Sequence, residues 1–545
     1  MNHSPIPAAT AAPDIDAPKD AFDRLMLFGW GGGLVAVVAG LAVSFFLFGY
    51  ALVYWRNADM DFMVIYNALV LNDGKPQLFF DHTAYITILS VKAWFQLLHA
   101  LGLLDAYTLP AIPPASDTAA FDAAMTSAVR AGRVLALLIA TGCVLIFAAL
   151  IRRVVRDWRV AMMATLAFAF SGGIAVHSRI LRSELVAACP VIFALLVLIV
   201  IGRRAGVARP LGLAVAAALC VLGLENKVQA ILLIGVLPVV ILPFGGAESA
   251  SVAFWKTRSG WLAAAIAIIA AIAAASAAWP LMAVGFDRAL LEPARFHPLL
   301  LGRFGIYQTA LLALIGGCMI AYAAIWRISA AETLAAMAAM AAGASIALLV
   351  LDLQYNATNV IAVFNPLEKM LTFADASTTN ASGIGGVVWL LLQGIASVLA
   401  RYTFVLHSSP RPTVFLTWVI IPGIVLAWRR GETQAAVQSL LLLLAAIGID
   451  ALGVRRSLKS EYFIFTDPLI ILAGAILLDR MSDLRFQKWA YFVGATLFGL
   501  HIAVGQAEPI KYAFMRRGPE SICEWNQHYL PLLPLPWCKA APAKA

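Results

Sequence analysis

Charge is what this sequence has least of. Charged residues fill only 13% of its 545 positions, against about 25% in soluble globular domains, while 62% are hydrophobic and the mean hydropathy is +0.86. So few charges cannot solvate a globular surface of this size, which excludes a soluble protein. Short segments of alternating polarity are missing too, which excludes a β-barrel. What is present is a series of apolar runs, many longer than the ~18 residues a crossing needs, separated by short charged turns. Because the backbone must satisfy itself in hydrocarbon, the fold class is an all-α polytopic membrane protein in a lipid bilayer. The net charge of +9 does not point to a nucleic-acid partner, since the basic residues sit in brief inter-helix loops where they orient the helices.

A cleavable signal peptide is also lacking. Residues 1–24 are rich in Ala, Pro and Asp and read as a disordered cytoplasmic tail, while the apolar run Leu25–Trp55 is too long for a signal-peptide core and becomes the first transmembrane helix. Cysteine is scarce. Cys143, Cys189, Cys220 and Cys318 fall in apolar helices, where a thiol behaves as a small hydrophobe. Cys523 and Cys538 stand in the polar tail, where an oxidising compartment would allow a disulfide between them.

The basic loops orient the bundle. "RRVVRDWR" (152–159), "RRAGVAR" (203–209), "WKTR" (255–258), "WR" (326–327), "WRRGE" (428–432) and "DRMSDLRFQK" (479–488) all fall inside if spans lie near 26–54, 130–151, 160–178, 185–202, 210–225, 228–245, 261–285, 304–326, 331–351, 412–428, 434–454, 463–479 and 489–506. That threading gives about thirteen spans, with the amino terminus in the cytoplasm and the carboxyl terminus outside. It requires 84–104 and 384–405 to lie on the outer interface rather than cross. The membrane domain is then 25–506, with a first outer loop at 55–129, a second outer region at 352–411 and an outer tail at 507–545. Alanine-rich helices suggest a bacterial inner membrane, whose outer face is the periplasm.

Ionisable groups cluster on that outer face, where membrane-embedded charges tend to mark function. The first loop offers Asp59, Asp61, Asp81 and His82; the turn "HSRILRSE" holds His177, Arg179, Arg182 and Glu184; "LENKVQ" holds Glu225 and Lys227; "RRSLKSEYF" holds Arg455, Arg456, Lys459, Glu461 and Tyr462. Carboxylates beside several cations suit an anionic amphiphile, with Lys and Arg for phosphate. Plainer roles compete. Asp73 in "LNDGKP" reads as a turn residue, Arg179 and Arg182 could snorkel to headgroups, Glu184 could serve the helix dipole, and Lys227 could be an interfacial anchor. Arg455 and Arg456 run against the positive-inside rule.

The order of these features resembles the GT-C class of membrane glycosyltransferases, particularly the branch containing the lipid A aminoarabinose transferases and protein O-mannosyltransferases. The likeness is carried by Asp61, Tyr66, "NALVLNDG" and "FFDH" in the first loop, then "RAGRVLALLIATGCVLIFAALIRRV", "SRILRSE", "LGLENKVQAILLIGVLPVVIL" and "SEYFIFTDPLIILAGAILL". It covers about 25–250 and 410–505. Phe62 stands where a second acid is usual, His82 replaces a lysine, Glu184 an aspartate, and Glu461 an arginine.

The resemblance implies a GT-C-like bundle that transfers a sugar from a polyprenyl-phosphate donor to a lipid, glycan or protein acceptor at the outer face, with inversion at the anomeric carbon. It implies Asp61 as general base, with Asp59 and Glu184 as further catalytic carboxylates. Arg179, Arg182, Lys227, Asp81, His82, Lys459 and Tyr462 are then expected around the donor phosphate. Asp59, Asp61, Asp81, His82, His177 and Glu184 could supply ligands to a divalent cation, although no spacing demands one. The competing class is a multi-span transporter or lipid flippase. Such proteins usually show two similar halves, and no internal repeat is evident here.

Overall fold

The computed structural model describes residues 29–57, 61–75, 84–202, 204, 206–227, 229–245, 253–284, 305–352, 389, 392–399, 414–453, 460–480, 487–515, 518–519, 523 and 530–538. Its helices are α1 (Gly29–Phe45), α2 (Met63–Asn72), α3 (Tyr85–Ala100), α4 (Thr118–Val154), α5 (Trp158–Ala169), α6 (Gly172–His177), α7 (Glu184–Ile201), α8 (Ala208–Asn226), α9 (Ala230–Ile241), α10 (Arg258–Val284), α11 (Gly305–Ile325), α12 (Ala330–Asp352), α13 (Val414–Arg429), α14 (Thr433–Gly453), α15 (Asp467–Arg480) and α16 (Gln487–Phe514). A helix lies over every expected span. Among the described residues, seven helices are long and apolar enough to cross a bilayer, and the chain is an integral membrane protein. Segment 384–405 lies largely outside the described residues.

Three spans differ from expectation in instructive ways. α4 has 37 residues, about 55 Å at 1.5 Å per residue, so its first turns project beyond the ~30 Å hydrocarbon core. Asp117 caps it by accepting the Ala120 N–H at 3.1 Å, and Arg130 and Arg133 ride on its amino-terminal half. The expected span 160–178 is two helices. The chain breaks at Phe170, and Ser171 recaps α6 by accepting the Ile174 N–H. Gln506 of α16 donates to the Phe170 carbonyl at 3.2 Å, so the polar group freed by the break is satisfied from a neighbouring helix. α16 runs on to Phe514, past the expected end at 506.

α7 is the central helix. Of its apolar window 72% is buried, against 17% for the lipid-facing α1. α8 lies against it so closely that a Cβ on Gly223 would stand 2.6 Å from the Ala187 carbonyl oxygen; a small residue there lets the two backbones meet. Gly173 of α6 does the same for the 3₁₀ segment Ser460–Phe465, its Cβ position being 3.0 Å from the Ile464 backbone. These contacts gather one end each of α6, α7, α8 and α15. A second, smaller core forms from α2, α3, the start of α4 and the tail residues Leu530, Leu533 and Leu535. Cys523 and Cys538 form a disulfide, and Trp537 packs against Tyr54, Trp55 and Phe121.

Candidate functional site

The turn Ser178–Ser183 between α6 and α7 is short, so its charged side chains must pack back onto the bundle. Glu184 opens α7 with no exposed surface and becomes the centre of a charged cluster. Its Oε1 accepts from Lys227 Nζ at 2.6 Å and from Arg182 Nη2 at 3.1 Å; its Oε2 accepts from Arg182 Nε at 3.2 Å. His177 Nε2 lies 3.5 Å from the same Oε2, while its Nδ1 is 2.6 Å from the Gly173 carbonyl oxygen and donates to it. Arg182 Nη2 also reaches Glu461 Oε1 at 3.5 Å, and Lys227 Nζ sits 5.9 Å from the centre of the Tyr462 ring. The 177–184 turn and Lys227 thus share one carboxylate, and Glu461 joins the cluster through Arg182.

Among the described residues, one edge of the cluster is open. The Glu184 and Lys227 side chains are 0% and 1% exposed, whereas those of Arg182 and Glu461 are 10% and 13% exposed. Arg182 and Glu461 form this edge, and Lys227 is buried behind them. Arg182 is held ionised by Glu184 and Glu461, which outweigh the cost of its burial.

Asn226, absent from the sequence expectation, fixes the cluster to the first outer loop. Its Nδ2 donates to the Ser183 carbonyl at 2.6 Å, its Oδ1 accepts from the Thr87 N–H at 3.0 Å and hydroxyl at 3.1 Å, and its carbonyl accepts from the Ala84 N–H at 2.9 Å. One buried amide therefore joins α8, the 178–183 turn and the start of α3.

Asp61 lies behind the turn rather than in the open edge. It has no exposed surface. Its Oδ2 accepts from Arg133 Nε at 2.8 Å and its Oδ1 from the Leu181 N–H at 2.6 Å, so both oxygens are engaged in this conformation. Burial pushes its carboxyl up from the usual range, and the Arg133 guanidinium and Leu181 N–H pull it back part of the way. Arg133 spends its remaining donors on the Leu52 and Val53 carbonyls at 2.5 and 3.2 Å. The pair locks the exit of the first span to the residue before Arg182. Arg133 could have been found in sequence, as a basic residue in the first turn of an otherwise apolar run.

Arg179 points away from the Glu184 cluster. Its Nη2 donates to Ser44 Oγ at 2.5 Å and Gln506 Oε1 at 2.7 Å. Asp73 ends α2 and pairs with Lys75 at 2.6 Å on the surface, as a turn residue does. Asp59, Asp81, His82, Lys459, Arg455 and Arg456 lie outside the described residues. Among the described residues no group of three His, Cys, Asp or Glu side chains is placed to hold a metal ion.

No family model and no curated protein matches the sequence. Two solved structures are similar to the chain. One is the archaeal oligosaccharyltransferase AglB from Archaeoglobus fulgidus in complex with an inhibitory peptide and a dolichol-phosphate, at 13% identity and a TM-score of 0.47, over 95% of this chain and 61% of that one. The other is the Archaeoglobus fulgidus oligosaccharyltransferase in the apo form, at 13% identity and a TM-score of 0.49, over 95% of this chain and 62% of that one. The chain spans about three fifths of the length of the structures it matches.

Proposed function

We propose that this chain is a membrane glycosyltransferase of GT-C type, moving a sugar from a polyprenyl-phosphate donor to an envelope acceptor at the periplasmic face with inversion. The observation that carries the reading is the Glu184 cluster, in which two segments bring two cations to one carboxylate, a third adds Glu461, and Arg182 is left at the open edge. A phosphate at that edge gains a charge-assisted contact with Arg182, backed by Lys227. The donor lipid lies between helices and its anomeric carbon faces the outer loops. As the bond to the leaving lipid phosphate breaks, negative charge grows on the phosphate oxygens, and cations already fixed by Glu184 stabilise it without reorganising.

The acceptor hydroxyl loses a proton as it attacks. Asp61, expected from the resemblance as the base, is engaged with Arg133 and Leu181, so in this reading it positions the turn. Glu461 is the carboxylate of the cluster with an exposed edge, and it takes the proton as general base. The roles the resemblance implies for Asp59, Asp81, His82 and Lys459 fall outside the described residues.

Purified protein reconstituted with a radiolabelled polyprenyl-phosphate sugar tests the reading. Transfer to an acceptor extract is expected from wild type, with Glu461→Gln slowed at least a hundredfold and its dependence on pH flattened. Movement of a lipid or solute across the bilayer with no sugar consumed would sink it in favour of a transporter or flippase.

A further inference from the structure

Arg179 is 2% exposed, and its Nε and Nη1 have no hydrogen-bond partner. Burial lowers its pKa from 12.5 to about 10, the mark of a cation held without a counter-charge. Its guanidinium lies 5.2 Å from the centre of the Phe48 ring, and a Cβ on Gly49 would be 2.9 Å from Arg179 Cβ. One residue further on, Tyr50 lies under Arg130 at 5.2 Å. Phe48 also touches Phe514, with ring centres 6.2 Å apart, and two residues before Phe514 the Tyr512 ring lies 4.7 Å from the Arg56 guanidinium. Three arginines thus surround the outer end of the first helix, and among the described residues none of them is within 4 Å of a carboxylate. The fourth nearby arginine, Arg133, is spent on Asp61.

The backbone there is unusual. Residues Phe46–Tyr50 form a π-helical turn, a wider turn found mostly where function requires it. Around the arginines the surface is apolar and faces lipid: Phe46 is 58% exposed and Phe514 73%. Cations without a carboxylate beside bare aromatics match an amphiphile with an anionic head. Arg179 and the Glu184 cluster flank opposite sides of the 178–183 turn, so this is a second site rather than an extension of the first.

We propose that the seam between α1 and α16, where Arg56, Arg130 and Arg179 gather without an acid, binds the phosphate headgroup of a membrane lipid whose acyl chains run along Phe46. The half-buried Arg56 and Arg130 receive the head, and Arg179 supplies the deeper charge as the π-helical turn yields. Arginine suits phosphate through its planar fork of donors. The site is independent of whether the chain transfers sugar.

Native mass spectrometry of the full chain, released from detergent with dioleoyl phosphatidic acid, dioleoylglycerol or glycerol 3-phosphate, tests this. A one-to-one adduct is expected with phosphatidic acid and with neither of the others. Arg179→Gln should weaken it at least tenfold, and Arg56→Gln with Arg130→Gln, at half-buried positions less tied to folding, should do the same. Arg152→Gln with Arg153→Gln, at the exposed inner end of α4, should leave it unchanged. Undiminished binding by the outer variants, equal loss in the inner pair, or equal binding of dioleoylglycerol would overturn the proposal. Equal binding of glycerol 3-phosphate would overturn its lipid part. None of these readouts involves sugar transfer, so failure here is distinct from failure of the glycosyltransferase reading.

Discussion

Asp61 Oδ2 and Arg133 Nε lie 2.8 Å apart with neither side chain exposed, and through the Leu181 N–H the same carboxylate fixes the residue before Arg182. Removing one partner of a buried pair strands the other, at a cost of about 3–5 kcal/mol. Asp61→Asn and Arg133→Gln should each lower the thermal midpoint in detergent markedly. The double variant should fall well short of the sum of the two. Additive losses would show that the pair is not coupled.

Glu184 compensates both Lys227 and Arg182. Glu184→Gln leaves the buried Lys227 and the edge residue Arg182 facing an amide, and we expect a stability loss of about 3–5 kcal/mol together with loss of donor consumption. Lys227→Met in the same background should recover part of the stability and none of the transfer. Recovery of both would count against a donor role for the cluster.

Gly223 lets α7 and α8 touch. A methyl group there would sit 2.6 Å from the Ala187 carbonyl oxygen, a position a real Cβ does not occupy, so Gly223→Ala must shift one helix and pull Lys227 from Glu184. Weakened donor binding and a lower thermal midpoint are expected, while Gly142→Ala, with open space around the added methyl, should change neither.

The tail is pinned by chemistry and by packing. The Cys523–Cys538 bridge closes a loop with a sequence separation of 15, for which the chain-entropy view gives about 3 kcal/mol, and the Leu532 N–H donates to the Tyr66 hydroxyl at 3.1 Å. Cys523→Ser should speed limited proteolysis of the tail and expose Trp537 to a fluorescence quencher. An unchanged cleavage rate would mean that Leu530, Leu533 and Leu535 hold the tail alone.

Topology is testable with little background, because Cys143, Cys189, Cys220 and Cys318 lie in apolar helices. Single cysteines at Ser377 and Ser408, in a background with Cys523 and Cys538 replaced, should react with an impermeant maleimide from outside only. Labelling from inside would reverse the orientation drawn from the basic loops.

Sequence by itself determined the solvent and the fold class. Scarcity of charge and long apolar runs leave a helix bundle as the only way to satisfy the backbone in lipid, and a helix stands over each expected span. It also singled out the turns at 177–184, 225–227 and 461–462, because charges beside apolar runs are conspicuous one at a time. Partnership was decided only by tertiary structure. Arg179 and Arg182 are three residues apart, yet one faces α1 and α16 and the other faces Glu184 and Glu461. Asp61 meets an arginine 72 residues away, and Asn226 meets Thr87 across 139 residues. A hydropathy pattern fixes which segments enter the bilayer, but which charges face one another depends on how close the helices come, and that is set by contacts such as Gly223 against Ala187 that leave no periodic trace in the chain.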